Sequence, residues 1–548
     1  MKHNHFFHRL RNLTILNLKH TNFKNVDLYK LLLREEALTA GYEKIRSNSG
    51  ATTPASDGQT NICFGLQRLL KLQKTLRNES WQPRPARRKW IPKHGKKELR
   101  PLDIQGPEEK IVQAVVTLIL EAIYEPRFFD SSFGFRRGRG PHDALNKIDQ
   151  TYDGMIYAIE GNIKSMFDSV DHHMLINLLE QRIGDPRFIR LIWKLLRTGY
   201  MDTPKGPMVK PVSGTPQGSI VSPVLANVLN HEFDASLETF RLKFNKTEPR
   251  LETTVYKKRV GRPKACIQHR LKQHDVTQEE RQKLLSPFKS LHKQGLKLKK
   301  RIPHQTRLVY VRYADDFIIG LACKRYEADV VLDHVRQSLK KLNLILNESK
   351  TKLTPLRTRE AYFLGYRIGI NTNVKFAYVK PKNQRRHLKR TTGNFVTLQA
   401  PMDQIVKRLS LKGFCSIRGW PMHKKCWLSQ DDDEIIRLFQ SQLKGLLNYY
   451  DGSHQRRRLG RVWYILRYSC AKTLAAKHQK SLIKIFVKHG PNCNVKFGKS
   501  GQSQIALVKP DLKEKKRVWH LGKKFSDPYV NLRSTGKQTY LGRTVRHM

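Results

Sequence analysis

Apolar positions along the chain fall into two patterns, a helical period in some stretches and short β-rich runs in others. Over residues 26–45, Leu28, Leu31, Leu32, Ala37, Leu38 and Tyr42 follow the helical period, and the turn-rich segments 47–50 and 53–58 break it. A second helix is predicted over 66–76. The segment 81–93 differs: Pro83, Pro85 and Pro92 exclude a helix and predict an extended chain, in which Trp90 and Ile91 are expected to seek burial. His94, Gly95, Lys96 and Lys97 then read as a hairpin turn, with the return through Leu99, Arg100, Pro101 and Leu102. The most apolar run, 111–124, is interrupted by Gln113 and Glu121 and predicts a buried helix. A membrane span would need about eighteen uninterrupted apolar residues.

Further on, residues 155–168 read as a strand ending in a polar turn, followed by a helix over 171–182. Gly214, Pro216 and Gly218 make a small-residue loop before a helix over 224–233; such a loop suits close approach to a flat ligand such as a base pair, and equally a plain helix entry. Residues 310–320 are rich in β-branched and aromatic side chains around Asp315 and Asp316. They predict two buried strands meeting at a tight turn that presents both carboxylates. Ser429, followed by Asp431, Asp432 and Asp433, predicts a capped helix start, with Ile435, Ile436, Phe439, Leu443, Leu446, Leu447 and Tyr450 on one apolar face. A last helix over 457–480 has Leu459, Val462, Trp463, Leu466 and Leu474 as its core side and Arg461, Arg467, Lys472, Lys477 and Lys480 as its cations.

Composition changes the picture in one direction. The 548 residues are 39% hydrophobic, enough for several folded domains, yet lysine and arginine number 104 against 46 acids, a formal net charge of +58 spread through the chain. That excess points to a polyanionic partner, nucleic acid before an anionic membrane surface. Arg87 and Arg88, lying between tryptophans on the extended segment, suit contact with a nucleic-acid backbone, as does Arg136 in the glycine- and arginine-rich loop 131–140. The segment 235–306 is dense in charge, with Lys257, Lys258, Arg259, Arg262, Lys264 and the run 297–301. It reads as an RNA-binding excursion or a solvated linker. Seven cysteines without a Cys-x-x-Cys pair suit a reducing compartment and buried free thiols; Cys415, His423 and Cys426 make a partial zinc set that lacks a fourth ligand. The first 26 residues contain no acid and fit an organelle transit peptide or an arm touching RNA.

In order, Ile91-Pro92-Lys93, Arg100-Pro101-Leu102, Ser132 to Arg136, Glu160 to Lys164, Gly214 to Pro223, Tyr313 to Asp316, Asn347 to Lys352 and Phe363 to Tyr366 resemble the group II intron reverse transcriptase and maturase family, over about residues 26–490. The stretches 445–450 and 466–475 resemble its maturase domain X. The resemblance implies an α+β right-hand polymerase fold, with fingers and a palm of antiparallel sheet followed by an α-helical thumb, or domain X. The expected domains are an N-terminal RNA-binding extension over 1–80, fingers and palm over 81–366 with the basic insertion at about 235–306, the thumb over 367–490, and a basic tail over 491–548. Only Cys493 remains in the tail where family members often carry an endonuclease with cysteine pairs, and none is expected.

The resemblance also implies site roles. Lys93 and Arg100 would grip a triphosphate, Phe167 would exclude a ribose 2′-hydroxyl, Gln217 and Gly218 would pack against the template base pair, and Lys350 would complete the nucleotide site. Arg87, Arg88, Arg136, Arg461, Arg467, Lys472 and Lys477 would bind RNA. Asp315 and Asp316 would hold Mg²⁺ with a third aspartate from the first palm strand, where this chain has Asn162. Asparagine keeps an oxygen and loses the charge. By analogy with unpairing a buried charge the loss is roughly 3 to 5 kcal/mol, or about 10² to 10⁴ in rate. The implied function is an intron maturase that binds group II intron RNA and promotes RNA splicing and mRNA processing in a mitochondrion, the alternatives being another organelle or a bacterial cytoplasm. The alternative is an active RNA-directed DNA polymerase that also takes a DNA primer and template. No membrane partner is expected.

Overall fold

The computed structural model describes residues 5–46, 48, 50–61, 64–92, 98–202, 206–245, 257–271, 273, 276–299, 306–371, 375–379, 387–391, 395–497, 503–508 and 510–512. Its centre is a four-stranded antiparallel sheet in the order Arg307–Tyr313, Asp316–Ala322, Tyr157–Asn162, Lys352–Pro355. Side chains alternate across this sheet, as the pleat requires. Leu308, Tyr310, Phe317, Ile319 and Ile159 enter one hydrophobic core. Val311, Ile318 and Ala158 enter a second core on the opposite face. The sheet is therefore buried on both sides, which explains why the run around the two aspartates is almost continuously apolar rather than alternating.

The first core is built on the helix Pro107–Tyr124, with Ser222–Phe244, Arg325–Lys341 and the N-terminal helices packed around it. Helix Glu35–Arg46 approaches Pro107–Tyr124 so closely at Gly41 that a Cβ there would come within 2.8 Å of the Ile111 carbonyl oxygen. The N-terminal helix His5–Lys19 buries Phe6, Phe7, Leu10 and Leu13 in this same core. Its apolar face is an integral part of the fold.

The extended segment forms the strand Ala86–Pro92, paired antiparallel with Leu99–Ile104 so that Ile91 faces Arg100, and joined near its base by the short strand Tyr200–Met201. The expected burial of Trp90 and Ile91 is not found. They are 49% and 41% exposed, because no described residue covers the hairpin beyond its base. The turn expected at His94, Gly95, Lys96 and Lys97 lies outside the described residues.

The charged insertion begins later than its composition implies. Helix Ser222–Phe244 runs unbroken through residue 235 and buries Leu237. The Leu308 amide donates to Asn245 Oδ1 at 2.7 Å and the Thr306 hydroxyl bonds the Phe244 carbonyl, so the two ends of the excursion meet. Its described part is helical, with helices Arg262–Arg270 and Gln278–Lys299.

A three-stranded antiparallel sheet, Ala361–Phe363, Tyr366–Asn371 and Phe395–Gln399, shares the second core with the helices Met402–Leu411, Asp432–Tyr449, Gly460–Lys477 and Leu482–His489. Ile435, Ile436, Phe439 and Leu443 are buried against Val462, Leu466, Cys470 and Leu474. Asp431 occupies the cap position expected of Ser429, and makes no side-chain capping bond. The neighbouring Asp432 instead pairs with Lys477 and His478, each at 2.7 Å. Cys323, Cys415, Cys470 and Cys493 are buried thiols, whereas Cys266 and Cys426 are exposed, against expectation.

Candidate functional site

Tyr313 pairs with Asp316 across a two-residue turn formed by Ala314 and Asp315. Ala314 is in the left-handed region at φ 57°, a conformation that a non-glycine residue holds only when its surroundings impose it. The constraint is visible. Arg312, fully buried in the strand before the turn, donates from Nη1 to the Ala314 carbonyl at 3.1 Å, and its other donors meet Asp234 at 2.8 and 2.6 Å and Ser132 Oγ at 2.7 Å. The Tyr310 hydroxyl donates to the same Asp234 carboxylate at 2.8 Å. From the other side Gly134 presses on the turn: a Cβ there would lie 2.2 Å from the Ala314 nitrogen. Removing either partner of the Arg312–Asp234 pair would strand a buried charge, at a cost of about 3–5 kcal/mol. Sequence reasoning assigned neither residue a role. The available signal was a lone charge in an apolar strand and another on an apolar helix face, each of which needs a partner.

The strand register sets Asn162 opposite Asp316. Its Nδ2 donates to Asp315 Oδ2 at 3.0 Å and to Asp316 Oδ1 at 2.6 Å, while Lys350 Nζ donates to its Oδ1 at 3.2 Å. The amide orientation follows from this network: turning it to offer oxygen toward the carboxylates would set its NH₂ against the Lys350 ammonium. Burial, with the adjacent charge of Asp315, raises the Asp316 carboxyl above the usual range, against the opposing effects of the Asn162 hydrogen bond and Lys350. A pair of hard divalent ions needs converging oxygen donors with negative charge. Here two carboxylates face the hydrogens of an amide, and that set does not fit the pair. Nor do the nearby acids complete it. Asp168 accepts both bonds of the Gln217 amide at 2.8 and 3.0 Å, and Asp171 caps the helix His172–Glu180 while accepting from Asn343 at 3.1 Å.

A cavity of about 560 Å³ is lined by Arg100, Phe135, Phe167, Gln217 and Gly218 among others. Arg100 Nε donates to Gln217 Oε1 at 3.3 Å, so a chain of bonds runs from the exposed hairpin through Gln217 to Asp168. Gly218 is at φ 117°, and a Cβ would meet the Asp103 carbonyl oxygen at 2.8 Å. The cavity thus gathers four of the expected nucleotide-site residues, Arg100, Phe167, Gln217 and Gly218. Lys350 stands instead on Asn162, in a groove of about 340 Å³ that also reaches Arg408. Lys93 lies outside the described residues.

The expected RNA-binding cations are distributed differently. Arg136 is 7% exposed, and its guanidinium is consumed by Glu125 and the carbonyls of Phe129 and Ser132; this corrects the expectation of an RNA contact there, since no donor is left for a ligand. Arg88 makes a two-bond pair with Asp103 at 2.7 and 3.0 Å and lies 3.2 Å over the Tyr200 ring, whereas Arg87 is half-buried beside it. Arg467 donates to the Pro491 carbonyl at 2.6 Å, and Lys477 is held by Asp432 and the Gln430 carbonyl. Arg461 and Lys472 are exposed, yet each donates at 3.0 Å to a loop carbonyl, those of Arg418 and Pro421.

Comparison with known proteins agrees with this architecture. The family model for reverse transcriptase, RNA-dependent DNA polymerase, matches residues 91–256 and 267–368, and that for type II intron maturase matches 393–536. The group II intron-encoded protein LtrA of Lactococcus lactis subsp. cremoris is 34% identical over 83% of this chain and 76% of its own length. The putative COX1/OXI3 intron 1 protein of Saccharomyces cerevisiae is 31% identical over 87% of this chain and 56% of its own. The uncharacterized mitochondrial protein ymf11 of Marchantia polymorpha is 28% identical over 82% and 65%.

Proposed function

Because the chain belongs to the family of group II intron-encoded proteins, which joins a reverse transcriptase domain to a maturase domain, we propose that it binds group II intron RNA and promotes its splicing, with the polymerase scaffold as a binding platform. In this reading the exposed hairpin 86–104 belongs to the fingers, the four-stranded sheet is the palm, and the helices 402–489 are the thumb, or domain X. The net charge of +58 supplies affinity for RNA, and the transesterification chemistry belongs to the RNA. The mitochondrial relative favours that organelle.

One observation carries the choice of maturase over polymerase: the Asn162 amide bonds both carboxylates of the turn. The reverse transcriptase family uses Mg²⁺. Two aspartates and a lysine-oriented amide leave its ion pair short of one charge. A second reading, an RNA-directed DNA polymerase acting on a DNA primer, rests on the intact Asp315 and Asp316 and on the cavity where Arg100, Phe167, Gln217 and Gly218 converge for a nucleotide, with Lys93 and Lys350 as further cations.

Primer extension on an RNA template separates the two. The unaltered protein is expected to be about 10² to 10⁴ slower than its Asn162→Asp variant, while Asp315→Ala leaves splicing of the bound intron intact. Robust synthesis by the unaltered protein, abolished by Asp315→Ala, would overturn the proposal.

A further inference from the structure

Between the helices Met402–Leu411 and Asp432–Tyr449 the chain makes a tight hairpin over residues 414–424. Cys415 bridges to Pro421, the Ser416 amide donates to the Trp420 carbonyl at 2.8 Å, the Gly419 amide returns to the Ser416 carbonyl at 2.9 Å, and the Met422 amide donates to the Phe414 carbonyl at 2.9 Å. Gly419 is at φ 86°, as the turn demands. At its base Phe414 and Cys415 are buried; at its tip Ile417 is 88% and Trp420 65% exposed, with Met422 beside them at 44%.

Exposed apolar tips are ordinarily a sign of a loose loop. This one is tied down from outside. Arg461 and Lys472 hold the carbonyls of Arg418 and Pro421, the Ser469 hydroxyl donates to the Met422 carbonyl at 2.6 Å, and the Lys424 amide donates to Thr473 Oγ1 at 2.9 Å. All four tethers come from one helix, Gly460–Lys477. A rigid mount for a solvent-facing indole costs burial and gains nothing in the free protein, which marks it as a contact surface. The chemistry of the surroundings selects the partner. No acid occurs between Asp403 and Asp431, whereas Arg418, Lys424, Lys425 and Lys412 stand in or beside the hairpin. An aromatic face among cations fits an unpaired base on a phosphate backbone.

We infer that the 414–424 hairpin is a base-stacking contact for a single-stranded segment of RNA, with Trp420 taking the base and Arg461 and Lys472 acting as positioning residues for the hairpin. This rests on the RNA-binding reading above and changes how its cations act: two side chains expected to meet phosphate instead hold the element that meets the base.

The test uses the full chain, a twelve-nucleotide oligo(A) and a blunt twelve-base-pair RNA duplex, with affinities measured at several KCl concentrations. Trp420→Ala is expected to weaken oligo(A) binding roughly 5- to 100-fold, to leave duplex binding unchanged, and to leave the slope of log affinity against log salt unchanged because no phosphate contact is lost. Trp420→Phe should keep most of the affinity. Arg461→Ala should weaken oligo(A) binding without altering the slope, whereas loss of a direct phosphate contact would reduce the slope's magnitude by about 0.7. Trp420→Ala binding oligo(A) like the unaltered protein, or losing both probes equally, would overturn the inference. So would sedimentation showing that Trp420→Ala dissolves a dimer, which would assign the hairpin to a second copy of the chain. If the unaltered protein bound neither RNA, the RNA-binding reading itself would fall along with the inference.

Discussion

His231 stacks on Phe129 with ring centroids 5.1 Å apart and meets Phe128 edge-on at 5.7 Å, with Nδ1 buried and unpartnered. Burial pushes its pKa from 6.5 down to about 4; Arg127, Arg312 and Arg136 push the same way, and Asp234 opposes them. The unfolded chain takes up this proton near pH 6.5 and the folded chain only near 4, so between those values the unfolded state binds more protons. The contribution to stability is therefore full above about pH 6.5 and falls away toward pH 4, by roughly 2 kcal/mol between pH 7.5 and 5. His231→Leu should remove that part of the acid sensitivity, measured as the difference in urea unfolding free energy at the two pH values. An unchanged difference would show that the imidazole protonates freely in the fold. The same neighbourhood contains the Arg312–Asp234 pair that holds the turn. None of this was legible in the sequence, because a histidine on an apolar helix gives no sign of which rings and cations the fold will bring to it. Asn162 was legible, since its position in an ordered series of motifs identified what it replaces. Its bonds to both aspartates and to Lys350 needed the strand register.

At the scale of elements, pattern located the helices Leu66–Arg77, Pro107–Tyr124, His172–Glu180, Ser222–Phe244, Asp432–Tyr449 and Gly460–Lys477 and both strands of the turn, and left His5–Lys19, Pro141–Thr151, Pro186–Leu196, Arg325–Lys341, Met402–Leu411 and Leu482–His489 unpredicted. Two misplacements share a physical cause: pattern shows what an element is made of and not what covers it. Trp90 and Ile91 had the composition of a buried strand and lie on an uncovered hairpin. The insertion was bounded by its charge at 235, whereas helix Ser222–Phe244 continues because Leu237 still finds the core. Its ends, joined through Asn245 and Thr306, define a cleaner excision. Replacing residues 246–305 with a short glycine-serine linker should shift the thermal midpoint by no more than about 4 °C, equivalent to about 1 kcal/mol in a domain of this size. RNA affinity should fall, with a shallower salt slope, because the removed segment is rich in lysine and arginine. Loss of cooperative unfolding in the shortened chain would mean that the excursion is a structural part of the sheet's support.

For the whole molecule, two cores share one sheet, and +58 formal charges are distributed over the body they form. Such a chain repels itself when free, since the described surface ion pairs engage only a fraction of its cations and exposed pairs contribute little. Salt should therefore act in opposite senses on its two states. Between 50 and 300 mM KCl the Debye length falls from about 14 to about 6 Å, which screens the self-repulsion and should raise the thermal midpoint of the free protein. Over the same range counterion release becomes less favourable, so a fixed excess of bound RNA should raise the midpoint strongly at 50 mM and only weakly at 300 mM. Melting curves of the free and RNA-bound protein should thus converge with salt, the first rising as the second falls. If the free protein melted at the same temperature throughout, its charge would already be neutralised within the fold, and the excess could not be acting as a reservoir for RNA. Convergence would mean that the same cations that weaken the free fold are what its polyanionic partner stabilises, a dependence that neither core and no single site residue would reveal.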